Sequence, residues 1–325
     1  MRIICPPIHL TKAERKNQLL SEMETWLKHE SLLRLIKAFG GTPPLSISFP
    51  LYIDWMNSFA DCWDYRKKQA EGGERWNIDD DEQIKLNEET IMSAAFDLGY
   101  LDGVSPAIEQ FDYMLPLGGA RLANLNRCQY TKTLLDRYGK STSTVVALAG
   151  KRSIQEIEVP YLKCYAPDAA TEYDAICGGL EKTFEIGFEF KEQATETNNI
   201  NLAWSIREYQ QRYLGHSIFA VAAPSSIPNR RANTFDTFVF FLKKFSVQPE
   251  SSLLLCSNCI YVNYQLLKFI PLALEKNLFI DCVGTPPDHN KTFNKPVNYC
   301  QEIKGTINAM HDIYTKIVNS KSHIF

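Results

Sequence analysis

The sequence predicts an α/β protein: an open, mostly parallel Rossmann-like sheet with flanking helices, preceded by a helical N-terminal region. Three observations carry this. Short apolar runs recur from Phe111 onward, at 111–117, 144–149, 217–223, 252–256 and 278–283. They are near-continuous rather than alternating, as strands buried on both faces are. Amphipathic segments separate them, and that alternation builds a parallel sheet with right-handed crossovers. The residues before Phe111 instead carry helical spacing of their apolar positions. The expected division is therefore a helical region over residues 1–105 and a Rossmann-like domain over 106–325.

In the helical region, Ala13 to Ala38 places Leu19, Leu20, Met23, Trp26, Leu27, Leu32, Leu33, Leu35 and Ile36 at helix-like intervals, with a break near His29–Ser31. Gly40-Gly41 and Pro43-Pro44 stop that pattern. A second helix is expected over 51–68. A Glu71-Gly72-Gly73-Glu74 turn and an acidic turn at 79–82 follow. A third helix, over 87–98, ends at Gly99, a common terminator. Between the strands, helices are expected over 122–138, 170–184, 200–213, 234–245, 261–274 and 300–318, with a further strand over 185–190.

The chain has 325 residues, 45% hydrophobic and 22% charged, with a net charge of -3. That is ordinary globular usage. Nucleic-acid binding is disfavoured, because it depends on a basic face that releases counterions. No run approaches the ~18 apolar residues of a membrane span. The nearest, Leu266 to Leu274, is interrupted by Lys268 and Pro271. The start lacks a charged segment followed by an apolar one, as a cleaved signal requires. A cytoplasmic location is the expectation, with export lacking a cleaved signal as the alternative. Nine irregularly spaced cysteines read as free buried thiols of a reducing compartment.

Ligands of open parallel sheets sit at the carboxyl ends of the strands, so the strand-to-helix loops are read as a set. The first is Leu117-Gly118-Gly119-Ala120-Arg121. Paired glycines let backbone N–H groups approach an anion at a helix start, and Arg121 adds a bidentate donor. Turning a strand into a helix is the plainer role of such a pair. The second loop, Gly150-Lys151-Arg152, is followed by Glu156 and Glu158. Later loops hold Pro224-Ser225-Ser226, then Arg230, Arg231 and Asn233, then Cys256-Ser257-Asn258-Cys259 with Tyr261 beyond, and finally Gly284 to His289. Neither the G-x-G-x-x-G fingerprint, a phosphate-binding P-loop nor a G-x-S-x-G elbow occurs.

Glu172 opens a helix in Thr171-Glu172-Tyr173-Asp174. It suits a general acid/base, a metal ligand or a ribose acceptor, while acids at a helix start also complement its dipole. Asn233-Thr234-Phe235-Asp236 reads first as a cap, with Arg230 and Arg231 just before it suited to phosphate. The lone C-x-x-C at Cys256 and Cys259 has no companion pair for zinc. It fits small residues in a ligand loop better than a redox pair. His289 reads as a solvated loop residue before a catalytic one. An aromatic and charged cluster, Trp63-Asp64-Tyr65-Arg66 with Glu74-Arg75-Trp76, reads as packing or as a lid supplying Arg66 or Arg75.

Taken in order, these loops resemble the SanA/YdcF/ElyC-like bacterial family. The matching positions are Leu117-Gly118-Gly119, Leu148-Ala149-Gly150, Thr171-Glu172-Tyr173-Asp174-Ala175, Asn233-Thr234-Phe235-Asp236 and Cys256-Ser257-Asn258-Cys259-Ile260-Tyr261. Lys151 stands where that family has a second glycine, and Asp236-Thr237 where it has an acid-Asn pair. Its last-motif histidine is missing, with Asn263 or Gln265 nearby. The helical N-terminal region lies outside the pattern. The resemblance implies a Rossmann-like fold and a nucleotide-type ligand such as S-adenosylmethionine.

The leading expectation is an enzyme, a transferase or hydrolase, acting on a nucleotide or phosphorylated metabolite. Gly118, Gly119 and Arg121 would hold the anion. Lys151 and Arg152 would neutralise developing charge, and Glu172 would be the acid/base. Arg230, Arg231, Asn233, Ser257, Asn258 and Tyr261 would complete ligand binding, with a divalent metal or S-adenosylmethionine as the cofactors to consider. The second expectation is a binding module without turnover, its N-terminal helices meeting a protein partner, including a host protein if exported. A redox enzyme using Cys256 and Cys259 is third.

Overall fold

A computed structural model describes residues 1–44, 46–67, 78, 80–101, 105–187, 189–285 and 295–319. Among the sequence-derived candidates, Glu74, Arg75, Trp76 and the 286–289 loop with His289 lie outside the described residues.

The N-terminal helices form where the sequence caps them. Helix α1, Lys12–Leu27, is opened by Thr11, whose side chain accepts from the Glu14 N–H while Glu14 reaches back to Thr11. This reciprocal cap satisfies donors that the first turn leaves open. Helix α2, Glu30–Ala38, starts at His29 and gives way to Gly40, whose φ of 80° favours glycine. Helices α3, α4 and α5 run over Phe49–Ala60, Glu82–Leu86 and Glu88–Asp97. The break expected near 29–31 is thus a true helix boundary, and α5 ends at Gly99 with φ 80°.

The second part alternates as expected: β1 Phe111–Pro116, α6 Ala123–Tyr138, β2 Gly139–Ala149, short α7 Val159–Leu162 and α8 Glu172–Phe184. There follow β3 Phe190–Ala194, β4 Ser205–Tyr209, β5 Ser217–Ala222, α9 Thr234–Lys244, β6 Ser252–Asn258, α10 Val262–Glu275, β7 Phe279–Thr285 and α11 Pro296–Asn319. The helix expected over 200–213 is instead strand β4. Leu202, Trp204 and Ile206 recur at period two, and Ser205 to Glu208 pair antiparallel with Ala222 to Phe219 of β5. The strand expected over 185–190 begins only at Phe190, because Glu185 closes α8 with φ 54°.

One seven-stranded sheet results, ordered β3-β4-β5-β2-β1-β6-β7. The five strands from β5 to β7 are parallel, and β4 and β3 extend the edge antiparallel. The fold is therefore α/β with a mostly parallel sheet. Its central strands are buried on both faces, with Val145, Val146, Ile218, Val221, Leu253, Leu255, Ile280 and Val283 inside. Chain order reverses at β1: α6 leads to β2 on one side, and the later β6 pairs on the other. This switch point opens a crevice at the strands' carboxyl ends.

By contacts the chain divides into two compact units. The sheet unit comprises Pro106–Asn258 and Lys276–Thr285. The helical unit comprises Met1–Ser105 and Cys259–Glu275, joined by the described residues of the C-terminal segment that starts at Pro286. So α10 and α11 cluster with the N-terminal helices rather than with the sheet that precedes them in sequence. Within the helical unit α11 packs against α3, α5 and α10, burying Ile303, Ile307 and Met310 with Tyr52, Met56, Ile91, Leu266 and Ile270. Among the described residues no helix is long and apolar enough to cross a membrane.

Candidate functional site

The first loop closes on itself. The Gly118 N–H donates to the Leu148 carbonyl at 2.6 Å, and the Gly119 N–H to Asn124 Oδ1 at 2.8 Å. Both donors expected to cradle an anion are therefore used inside the protein. What the glycines provide is space. A Cβ on Gly118 would fall 2.2 Å from Glu172 Oε1 and 3.0 Å from Ala149 Cα, and one on Gly119 would meet Ala123 and Arg127 at 2.9 and 3.0 Å.

Arg127, on α6, is the residue sequence reasoning missed. It is buried, and its guanidinium donates to the carbonyls of Leu117 and Gly118 at 2.8 and 2.5 Å and to Asn258 Oδ1 at 2.9 Å. It thereby ties the end of β1 to the end of β6 across the switch point. A signal was present: Asn124, Arg127, Thr131 and Leu134 share helical spacing, which puts an arginine on the buried face.

Glu172 and Arg152 meet in an ion-pair network. Arg152 Nε lies 3.1 Å from Glu172 Oε2, and its two terminal nitrogens lie 2.6 and 2.9 Å from the oxygens of Glu158. The Glu158 carboxylate is wholly buried. Burial pushes its acidity the other way, yet hydrogen bonds from Arg152 and the Gln155 N–H, with the Arg152 charge, hold it below the ordinary carboxylate range. Arg152 thus has all three nitrogens committed to carboxylates, which suits it to hold Glu172 in place.

The start of α8 is equally occupied. The Glu172 and Tyr173 N–H groups donate to the carbonyls of Arg152 and Gly150, and Thr171 forms a reciprocal cap with Asp174. Arg121 sits in the left-handed region at φ 57°, with its carbonyl accepting from the Tyr165 hydroxyl at 2.6 Å and its guanidinium 5.2 Å from the Tyr161 ring centre. Arg230 donates to Asp236 at 2.8 Å and to Ser226, while Asn233 caps α9 through Asp236. These two residues shape the loop before α9.

Beside this network lies a cavity of about 200 Å³ lined by Lys151, Arg152, Ser153, Asn201, Arg231 and the Ala232 segment. No carboxylate of the described residues lines it. Lys151 stacks near the Tyr173 ring at 5.7 Å, and neither Lys151 nor Arg231 is ion-paired with a described residue. Besides Arg152, the Lys151 and Arg231 cations, an amide and a hydroxyl give this hollow a cationic, hydrogen-bonding lining. Ser257 is buried in β6 with a hydroxyl that has no partner among the described residues, and Asn258 is held by Arg127. Tyr261 belongs to the helical unit.

This lining repels a sulfonium cation, so the site does not fit S-adenosylmethionine. Nor is any group of three or more His, Cys, Asp or Glu side chains assembled to hold a metal ion among the described residues. Cys256 is a buried free thiol pushed up to about 12 by burial, which opposes thiolate chemistry. Asn263, near the place of the resembled family's histidine, is buried in the helical unit and bonds the Ile3 N–H and the Leu98 carbonyl. Its role there is structural.

The fold and this edge define an α/β protein with a mostly parallel sheet, a cation-lined strand-end hollow and a helical N-terminal region. Within that class, residues 11–99 match the family described as the Rv3785 N-terminal domain. Across nearly its whole length the chain is similar to Uncharacterized protein Rv3785 of Mycobacterium tuberculosis H37Rv, at 24% identity over 345 residues covering 97% of this chain and 95% of the relative. Uncharacterized protein Mb3814 of Mycobacterium bovis matches to the same extent. No solved structure matches.

Proposed function

We propose that the sheet unit binds a phosphorylated small molecule of the nucleotide class and acts on it by group transfer or hydrolysis. The observation that carries this reading is the carboxylate-free hollow holding Lys151 and Arg231, reached by an arginine that also grips Glu172. At about 200 Å³, the hollow is smaller than the ~300–1,000 Å³ of sites that engulf a whole ligand. It suits a phosphoryl group, with the rest of the substrate outside. Lys151 and Arg231 would bind that group and offset charge developing on it. Glu172 would move the proton: Oε2 is bound by Arg152 while Oε1 stands over Gly118.

The order of loops shared with the SanA/YdcF/ElyC-like family supports a nucleotide-type ligand, and a cytoplasmic setting supplies such ligands. The commitment of Glu172 to Arg152 favours a second reading, binding without turnover. Calorimetric titration with nucleoside and sugar phosphates, followed by phosphorus NMR of the mixtures, separates the two. Binding abolished in Lys151→Ala, with phosphate release or transfer lost in Glu172→Gln, is the expected result. Unchanged affinity in both Lys151→Ala and Arg231→Ala would sink the site. Binding with no product across the panel would leave the binding module.

A further inference from the structure

The helical unit contains a cavity of its own, about 370 Å³, bounded by α3, the turn after Trp63, α10 and α11. Its volume falls inside the ~300–1,000 Å³ range of small-molecule sites. Nothing in the proposed phosphoryl site uses it. Its lining is unusually polar, and the hydrogen bonds around it are one-sided.

Two amides line the cavity with their oxygens already taken. Gln301 is 8% exposed, and its Oε1 accepts from the Arg66 backbone N–H at 3.1 Å. In the orientation that satisfies both ends of the Asn308 amide, Asn308 donates to Asn57 Oδ1 at 3.1 Å and accepts from Lys304 at 2.9 Å. An amide whose oxygen is fixed can turn only its NH2 toward the hollow. Neither the Gln301 nor the Asn57 NH2 has a partner among the described residues. The Arg66 guanidinium has none there either, and it lines the same space.

Charge adds to this. Lys304 is held in the wall by Asp64 at 2.8 Å. Lys268 sits at the mouth, 3.5 Å from Asp312, where both are solvated and the pair is loose. Glu302 and Asp312 also line the cavity, but the groups that lack partners are donors. These donors line an open hollow, where a bound acceptor would take the place of water.

From this arrangement we infer that the helical unit binds a small oxyanion, a carboxylate or phosphate group, through Arg66, Gln301 and Asn57, with Lys268 at the entrance. The Tyr264 ring, on the same wall, gives the carbon frame of such a molecule a flat face. Arg66, which the sequence offered as part of a lid, is thereby a ligand residue of its own unit.

The test uses the full chain carrying Lys151→Ala and Arg231→Ala, so that anions bound by the sheet hollow do not register. Orthophosphate and citrate are titrated separately at constant ionic strength, followed by the side-chain amide NMR signals of Gln301 and Asn57. The expected result is saturable binding of at least one anion, shifting both signals and weakened about tenfold or more by Arg66→Ala, the loss of one charge-assisted bond. Which anion binds names the phosphate-bearing or carboxylate-bearing class. Arg66 is exposed, so its removal leaves the fold intact; Asn57→Asp, placing an acceptor where a donor stood, should weaken binding too. Absence of saturable binding, or affinity unchanged in both Arg66→Ala and Asn57→Asp, overturns the assignment.

Discussion

Arg152 and Glu158 form a two-pronged ion pair, 2.6 Å and 2.9 Å across, with the Glu158 carboxylate wholly shielded from solvent. The remaining nitrogen of Arg152 reaches Glu172. A buried carboxylate that loses its partner keeps its desolvation penalty and gains nothing in return. Arg152→Ala should therefore destabilise the protein by about 3–5 kcal/mol, measured by urea unfolding. Arg152→Lys, which cannot span both oxygens, should recover only a fraction. A loss no larger than that of a surface substitution would show that the network does not support the fold.

Gly118 makes a separate prediction. Its missing Cβ is the space Glu172 Oε1 occupies, and the Ala149 backbone closes the other side. Gly118→Ala should cost about 1–3 kcal/mol through overpacking, because backbone cannot swing aside as a side chain can. It should also displace Glu172 and impair any turnover of the proposed phosphorylated substrate. The double variant Gly118→Ala/Glu172→Ala should regain stability only in part, since the Ala149 contact persists.

Acid should unfold the protein through two buried, arginine-paired carboxylates. Glu158 and Asp236 are buried, which by itself raises their pKa values, but hydrogen bonds and the charges of Arg152 and Arg230 hold both below the ordinary values of 4.5 and 3.8. Folded, they bind fewer protons than when unfolded. Their contribution is complete above those ordinary values and is lost as pH falls through the lower folded ones. The urea midpoint should hold steady from about pH 7 to about pH 5, then drop. Glu158→Gln should flatten that drop, and an unaltered acid limb in this variant would remove Glu158 from the explanation.

Thiol chemistry should be confined to two positions. Cys62 and Cys164 are exposed, and the other seven cysteines are buried. Burial pushes Cys177 and Cys256 up to about 12, so they remain protonated thiols at neutral pH. Brief alkylation of the native protein followed by peptide mass analysis should label Cys62 and Cys164 alone. Unfolding should expose the rest. Rapid labelling of Cys256 in the folded protein would contradict its place inside β6.

Much of this was legible from residue order. Apolar runs marked β1, β2, β5, β6 and β7 because strands buried on both faces need no polar alternation. Thr171 and Asn233 announced their helices because capping is a matter of residues three apart. Local chemistry also put Gly118, Lys151, Arg152 and Glu172 near strand ends. Their partners were another matter. That Arg152 would spend its nitrogens on Glu158 and Glu172, that Gly118 would be emptied for a carboxylate, and that Arg127 would clamp β1 to β6 all depend on side chains meeting across long sequence separations. Leu202 to Tyr209 fits a helix and a strand alike, and pairing with β5 settled it. The grouping of α10 and α11 with the N-terminal helices is likewise tertiary. An apolar helix face states that it will be buried, and only packing decides against what.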